Sequence, residues 1–128
     1  MTIRFDDIPS AVAALAAGGA VVVVDENDRE DECDLVFAAE SATVAQIAFL
    51  VRNSSGIVGV AMPGEVLDRL GIPPMTPINQ HSHGMGMAVS VDSADVVGNG
   101  ASASDRLLTV LALANPEALE FFRGRAEL

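Results

Sequence analysis

Ten consecutive residues hold the densest chemistry of this chain: Asp25-Glu26-Asn27-Asp28-Arg29-Glu30-Asp31-Glu32-Cys33-Asp34. Seven of them are acidic, out of 18 acidic residues in the whole sequence. Like charges gathered so closely repel one another, and that costs folding free energy. A divalent cation bound among them relieves the repulsion; otherwise the stretch has to be a well-solvated loop. Hard ions such as Mg²⁺ take carboxylate oxygens and keep several waters, so one or two acidic ligands suffice. The spacing is not that of an EF-hand, because Arg29 and Glu30 fall where that loop needs an oxygen ligand and a Gly. Arg29 is the one cation in the stretch, and it either balances charge or clamps an anion such as a phosphate.

Two other places carry chemistry. His81 and His83 stand at i, i+2; on an extended segment they point the same way and can share a metal. Imidazole titrates near neutrality, so either also suits general acid–base work beside carboxylates, although ordinary loop histidines look the same in sequence. The run Gly98-Asn99-Gly100-Ala101-Ser102-Ala103-Ser104-Asp105-Arg106 is a small-residue loop feeding a helix N-terminus, a geometry whose backbone N–H groups receive anions. A plain turn with an N-cap accounts for it equally well. Cys33 is expected to be structural or incidental.

These candidates hang on alternating strands and helices. Asp7-Ile8-Pro9-Ser10 caps an Ala-rich helix through Ala17 that stops at Gly18-Gly19. Ala20 to Val24 is β-branched and apolar on both faces, the pattern of a buried strand. Leu35 to Ala39 is the next strand, so the acidic stretch is a connection beside a sheet end. Thr43-Val44-Ala45-Gln46 has the form of a capping box, opening a helix with Val44, Ile47, Leu50 and Val51 on one face. Ser54-Ser55-Gly56 ends it. Ile57 to Met62 and Met85 to Asp92 are expected as third and fourth strands, with a short helix Glu65 to Leu70 and a Pro-rich loop, Gly71 to Gln80, between them. A helix from Asp105 to about Ala114 is capped by Ser102 or Ser104, and Glu117 to Arg123 forms a last one. The expectation is α/β with a mixed sheet and flanking helices, residues 1–128 forming one domain.

Composition narrows the function. Half of the 128 residues are hydrophobic, and the net charge is −11, which argues against a nucleic-acid backbone or an anionic membrane as partner. No apolar run approaches the ~20 residues that span a bilayer. The first residues lack the basic-then-apolar pattern of a signal peptide, and one Cys fits a reducing compartment. A cytoplasmic location is expected.

The acidic pattern Asp25-x-x-Asp28-Arg29-Glu30-x-Glu32-x-Asp34-Leu35 after a Val run resembles the signature of 3,4-dihydroxy-2-butanone 4-phosphate synthase, a lyase of riboflavin biosynthesis. The similarity continues through Phe37-Ala38-Ala39-Glu40, Arg52-x-x-Ser55-Gly56-Ile57-Val58, Val89-Ser90-Val91-Asp92 and Gly100-x-Ser102-Ala103-Ser104-Asp105-Arg106. The resemblance implies a Mg²⁺- or Mn²⁺-dependent homodimer that turns ribulose 5-phosphate into dihydroxybutanone phosphate and formate. It implies Glu30 as metal ligand, Glu32 and Asp34 in acid–base or hydroxyl contacts, Arg29 at an anion and Asp25 on substrate. Ser102 and Asp105 join the substrate contacts.

This chain also departs from the pattern. Family members are longer, and their further part carries a Pro-Gly-His and a Gly-His-Thr-Glu segment with the second metal ligand and phosphate contacts. Cys33 replaces a Gly, Gly59 stands where some members have a Cys, and Asn99 stands where a catalytic Thr is expected. His81 is then the candidate substitute metal ligand and His83 a candidate catalytic group, with Asn99 in the Thr position. The expectation is a synthase-like lyase acting on ribulose 5-phosphate or a related sugar phosphate, with the same or a changed reaction. The alternatives are a non-catalytic metabolite-binding or assembly paralogue that pairs with another chain, and a fragment of a longer protein. Exposed apolar surface in so short a member is expected to drive oligomerisation.

Overall fold

A computed structural model of the chain describes residues 4–24, 32–82 and 84–115. Helix α1 runs Ile8–Ala16, with Asp7 as its N-cap and Pro9 in its first turn. The Asp7 carboxylate accepts a 2.7 Å hydrogen bond from the Ser10 N–H. Bonds from the Ser10 hydroxyl and then its backbone N–H hold the Asp7 carboxyl below the usual carboxylate range. Gly18, at φ +81°, ends the helix in a conformation that favours glycine.

Strands β1 (Ala20–Val24) and β2 (Cys33–Phe37) then pair antiparallel, from Ala20 opposite Phe37 to Val24 opposite Cys33. The acidic stretch therefore begins in the connection between two paired strands, beside a sheet end as expected, and its last residues, Cys33 and Asp34, lie in β2. The expectation of a strand buried on both faces is overturned: Val22, Val23 and Val24 are 61%, 51% and 43% exposed. Among the described residues the sheet has two strands, and α1 is the helix that packs on β1, so much of the valine surface has no cover.

A short 3₁₀ turn, Ala39–Ser41, leads to α2, Val44–Asn53. The capping box is present in both directions: Gln46 N–H donates to Thr43 Oγ1 (3.3 Å) and Thr43 N–H to Gln46 Oε1 (3.0 Å). Gln46 Nε2 also donates to the Gly18 carbonyl at 2.7 Å, stitching α2 to the end of α1. Helix α3 (Gly64–Leu70) closes at Gly71, and α4 (Ala103–Ala114) is capped by Ser102.

Residues 57–62 and 85–92 do not form the third and fourth strands expected, because no described strand lies beside them to pair with. One antiparallel bridge remains, Pro74 opposite Ala88, with Met75 N–H to Met87 O at 2.8 Å and Val89 N–H to Pro73 O at 3.0 Å. The α/β character holds; the sheet is smaller than its apolar segments suggested. The expected helix at 117–123 lies outside the described residues.

Packing concentrates where α4 meets α2 and the 3₁₀ turn. Among the described residues, Ile47, Ile72, Val96 and Val110 are the buried apolar ones. Ser93 is buried as well, and its N–H donates to Thr109 Oγ1 at 3.0 Å, so the extended segment before α4 is bonded to that helix where water is excluded. No helix among the described residues is long and apolar enough to cross a membrane.

Candidate functional site

The hairpin decides where the acidic side chains go. Opposed residues of an antiparallel pair share a face, so Asp34 sits opposite Val23 and lies with Val21 and Val36. Glu32 immediately precedes β2. Both carboxylates are exposed at the end of the hairpin where the two strands are connected. Asp25, Arg29 and Glu30, the remaining candidates of this stretch, lie outside the described residues. Open carboxylates that keep their water suit a hard cation, which binds through few protein ligands. Among the described residues, however, no three His, Cys, Asp or Glu side chains come together as a metal-binding group.

His81 lies in the loop closed by the Pro74–Ala88 bridge, exposed to solvent. Its N–H donates to Asn79 Oδ1 at 3.0 Å, and its carbonyl accepts from Gly84 N–H at 3.0 Å. That second bond makes His81 the first residue of a turn. His83 lies outside the described residues. Cys33 is a free, exposed thiol at the end of β2.

The Gly98–Asp105 loop is the best-defined candidate. Asn99 Oδ1 accepts from Ala101 N–H (3.0 Å), an Asx turn, and Ser102 Oγ accepts from Asp105 N–H (3.1 Å), the helix cap. Ser102 and Ser104 hydroxyls lie 3.1 Å apart. Gly100, at φ +79°, stands where the backbone favours glycine, and both glycines lie close to a carboxylate. A Cβ on Gly98 would meet Asp105 Oδ2 at 2.6 Å, and one on Gly100 (φ +79°) would meet both Asp92 carboxylate oxygens at 2.5–2.6 Å. The half-buried carboxylates of Asp92 and Asp105 thus press directly on the loop backbone.

Arg106 was visible only as the end of a motif, and its partners could not be read from spacing. Its Nε donates to the Ala101 carbonyl at 2.9 Å, and Nη1 to the Gly56 carbonyl at 3.1 Å, fifty residues away in sequence. A separate groove of about 290 Å³ runs beside α3, lined by Val60, Met62, Val66, Leu70 and Leu113 with Arg69. None of the described candidate residues lines it.

The family model for 3,4-dihydroxy-2-butanone 4-phosphate synthase matches residues 9–124. Riboflavin biosynthesis protein RibBA of Rhodococcus erythropolis is 55% identical over 115 residues, which cover 90% of this chain and 27% of that protein. RibBA of Mycobacterium tuberculosis is 48% identical over 91% of this chain and 27% of its own. A crystal structure of 3,4-dihydroxy-2-butanone 4-phosphate synthase in complex with two magnesium ions matches with a TM-score of 0.82 and 40% identity, covering 89% of this chain and 53% of that one. The Candida albicans synthase matches at 0.77 and 40% identity, over 89% and 55%. This chain spans about a quarter of those curated relatives and about half of those solved synthases. With nearly the whole sequence and the fold matched, the chain belongs to the 3,4-dihydroxy-2-butanone 4-phosphate synthase family.

Proposed function

We propose that this chain carries the acidic-hairpin portion of a magnesium-dependent lyase that converts ribulose 5-phosphate, or a related sugar phosphate, into dihydroxybutanone phosphate and formate. The observation that carries the reading is the hairpin itself, with Glu32 and Asp34 open to solvent at the end of β2 within the family's acidic motif. Mg²⁺ or Mn²⁺, held by Glu30 with His81 as second ligand, would polarise the ketose oxygens. Glu32 and Asp34 accept and return protons at the substrate carbons and hydroxyls, the work that enolisation and a carbon shift require. His83 serves as a further acid–base group. Asp25, Ser102 and Asp105 bind substrate, and Arg29 contacts its phosphate. Asn99 donates a hydrogen bond from its amide. A homodimer and a cytoplasmic setting, where Cys33 stays reduced, belong to the same reading.

The test is to incubate the chain with ribulose 5-phosphate and Mg²⁺ and follow formate by NMR. Formate that appears only with metal is the expected result. Glu30→Ala should then abolish both metal binding and turnover without unfolding the chain, because it removes loop charge; unchanged metal affinity in that variant refutes the ligand assignment.

A second reading is favoured by the exposed valines of β1. In it the chain is a binding or assembly partner that becomes active, or organises activity, only when another polypeptide supplies the rest of the fold. No formate from the chain alone, but formate after addition of the remaining part of a full-length relative, selects this reading.

A further inference from the structure

The contacts of Arg106 reach beyond that assignment. A cation on the first turn of α4 works against the helix dipole, and a capped helix does not need it there. The side chain nevertheless turns back across the N-terminus and uses two sides of its guanidinium, Nε to Ala101 O and Nη1 to Gly56 O. The fork geometry matches this pair of divergent carbonyls, which an ammonium cannot span from one nitrogen position. At the far end the acceptor is held as well: Ser54 Oγ accepts from Gly56 N–H (3.4 Å), Ser55 Oγ from Ile57 N–H (3.3 Å), and Gly56 adopts φ +81°. At the near end, Ala101 is the residue whose N–H binds Asn99 Oδ1. One guanidinium therefore connects the exit of α2 to Ala101, the residue whose N–H holds Asn99 Oδ1. Because Oδ1 is taken by the Ala101 N–H, the Nδ2 hydrogens are the donors that the exposed Asn99 amide presents.

We infer that Arg106 is a positioning residue: it latches the Gly98–Ser102 loop to the Gly56 turn, so that the Asn99 amide meets the substrate as a donor in one orientation. The substrate half of this statement rests on the function proposed above; the latch itself does not.

The experiment is amide hydrogen exchange by NMR on the whole chain and on Arg106→Ala and Arg106→Lys. The Ala101 N–H of Arg106→Ala should exchange about tenfold faster, the scale of one lost charge-assisted hydrogen bond, while Leu107–Leu113 keep their protection. Arg106→Lys, which keeps the charge and stem, should show a smaller rise, and guanidinium ion at non-denaturing concentration should reverse part of the change in Arg106→Ala. Unchanged Ala101 exchange in Arg106→Ala overturns the latch. If that variant loses protection throughout α4, Arg106→Lys decides, and wild-type exchange in it overturns the latch.

A second readout is the shift of the Asn99 Nδ2 signals on adding ribulose 5-phosphate. It is expected in the wild type, lost in Arg106→Ala and partly kept in Arg106→Lys. An equal shift in wild type and Arg106→Ala overturns the positioning role. No shift in the wild type counts against the substrate reading alone, and exchange still decides the latch.

Discussion

The β1–β2 hairpin and the α2–α4 unit are built from similar apolar residues, yet they meet opposite surroundings. Around α2 and α4, Ile47 and Val110 are buried, and Ser93 and Thr109 satisfy each other between the elements. In the hairpin a run of four valines stays largely open, although the ladder from Ala20 to Val24 is complete. Backbone pairing needs only the neighbouring strand; side-chain burial needs a layer on each face. The helical unit finds that layer within the described residues, and the hairpin finds it mainly at α1.

The sharpest way to break this contrast is Ile47→Ala. Ile47 is 2% exposed, so truncation should cost about 2–5 kcal/mol and bring a large fall in the thermal midpoint. A loss under about 1 kcal/mol would mean that the α2–α4 contact is not the core. Asp7→Ala comes next and probes the N-terminal side. It should lower stability modestly at neutral pH by removing the α1 cap. The folded Asp7 carboxyl lies below its ordinary value, so the cap's contribution is fully present above the unfolded value of about 3.9 and fades as pH falls through the folded value. Denaturant midpoints of variant and parent should therefore differ at neutral pH and converge at acidic pH.

Val23→Thr should have the smallest effect, within about 0.5 kcal/mol, as for an exposed site. A cost above about 1 kcal/mol, with a change in elution volume, would show that a second copy covers the valine face in solution.

What could be read in the sequence was local. The capping residues Asp7, Thr43, Gln46 and Ser102 act on backbone groups two or three residues away, and each lies where its motif placed it. The valine run and the apolar segment after the acidic residues marked two strands joined by a connection, but not that they pair with each other. Residues 57–62 and 85–92 carry strand composition, but a strand is defined by its neighbour, and composition does not say whether one is present. The roles of Thr109 and Arg106 were equally hidden, since their partners lie 16 and 50 residues away. For the site, the motif named more than the described residues contain. Glu32, Asp34, Asn99, Ser102, Asp105 and His81 can be placed, while Asp25, Arg29, Glu30 and His83 lie outside them.

Gln46 uses its amide twice, the oxygen for its own helix and the nitrogen for the Gly18 carbonyl. Slow deamidation to Glu would leave the first bond and abolish the second, placing a carboxylate oxygen against a carbonyl oxygen. An aged chain would then keep a well-capped α2 while the α1–β1 segment came loose from it. Chemical damage at one side chain would thus appear as partial opening of the N-terminal segment, with the helical core still closed.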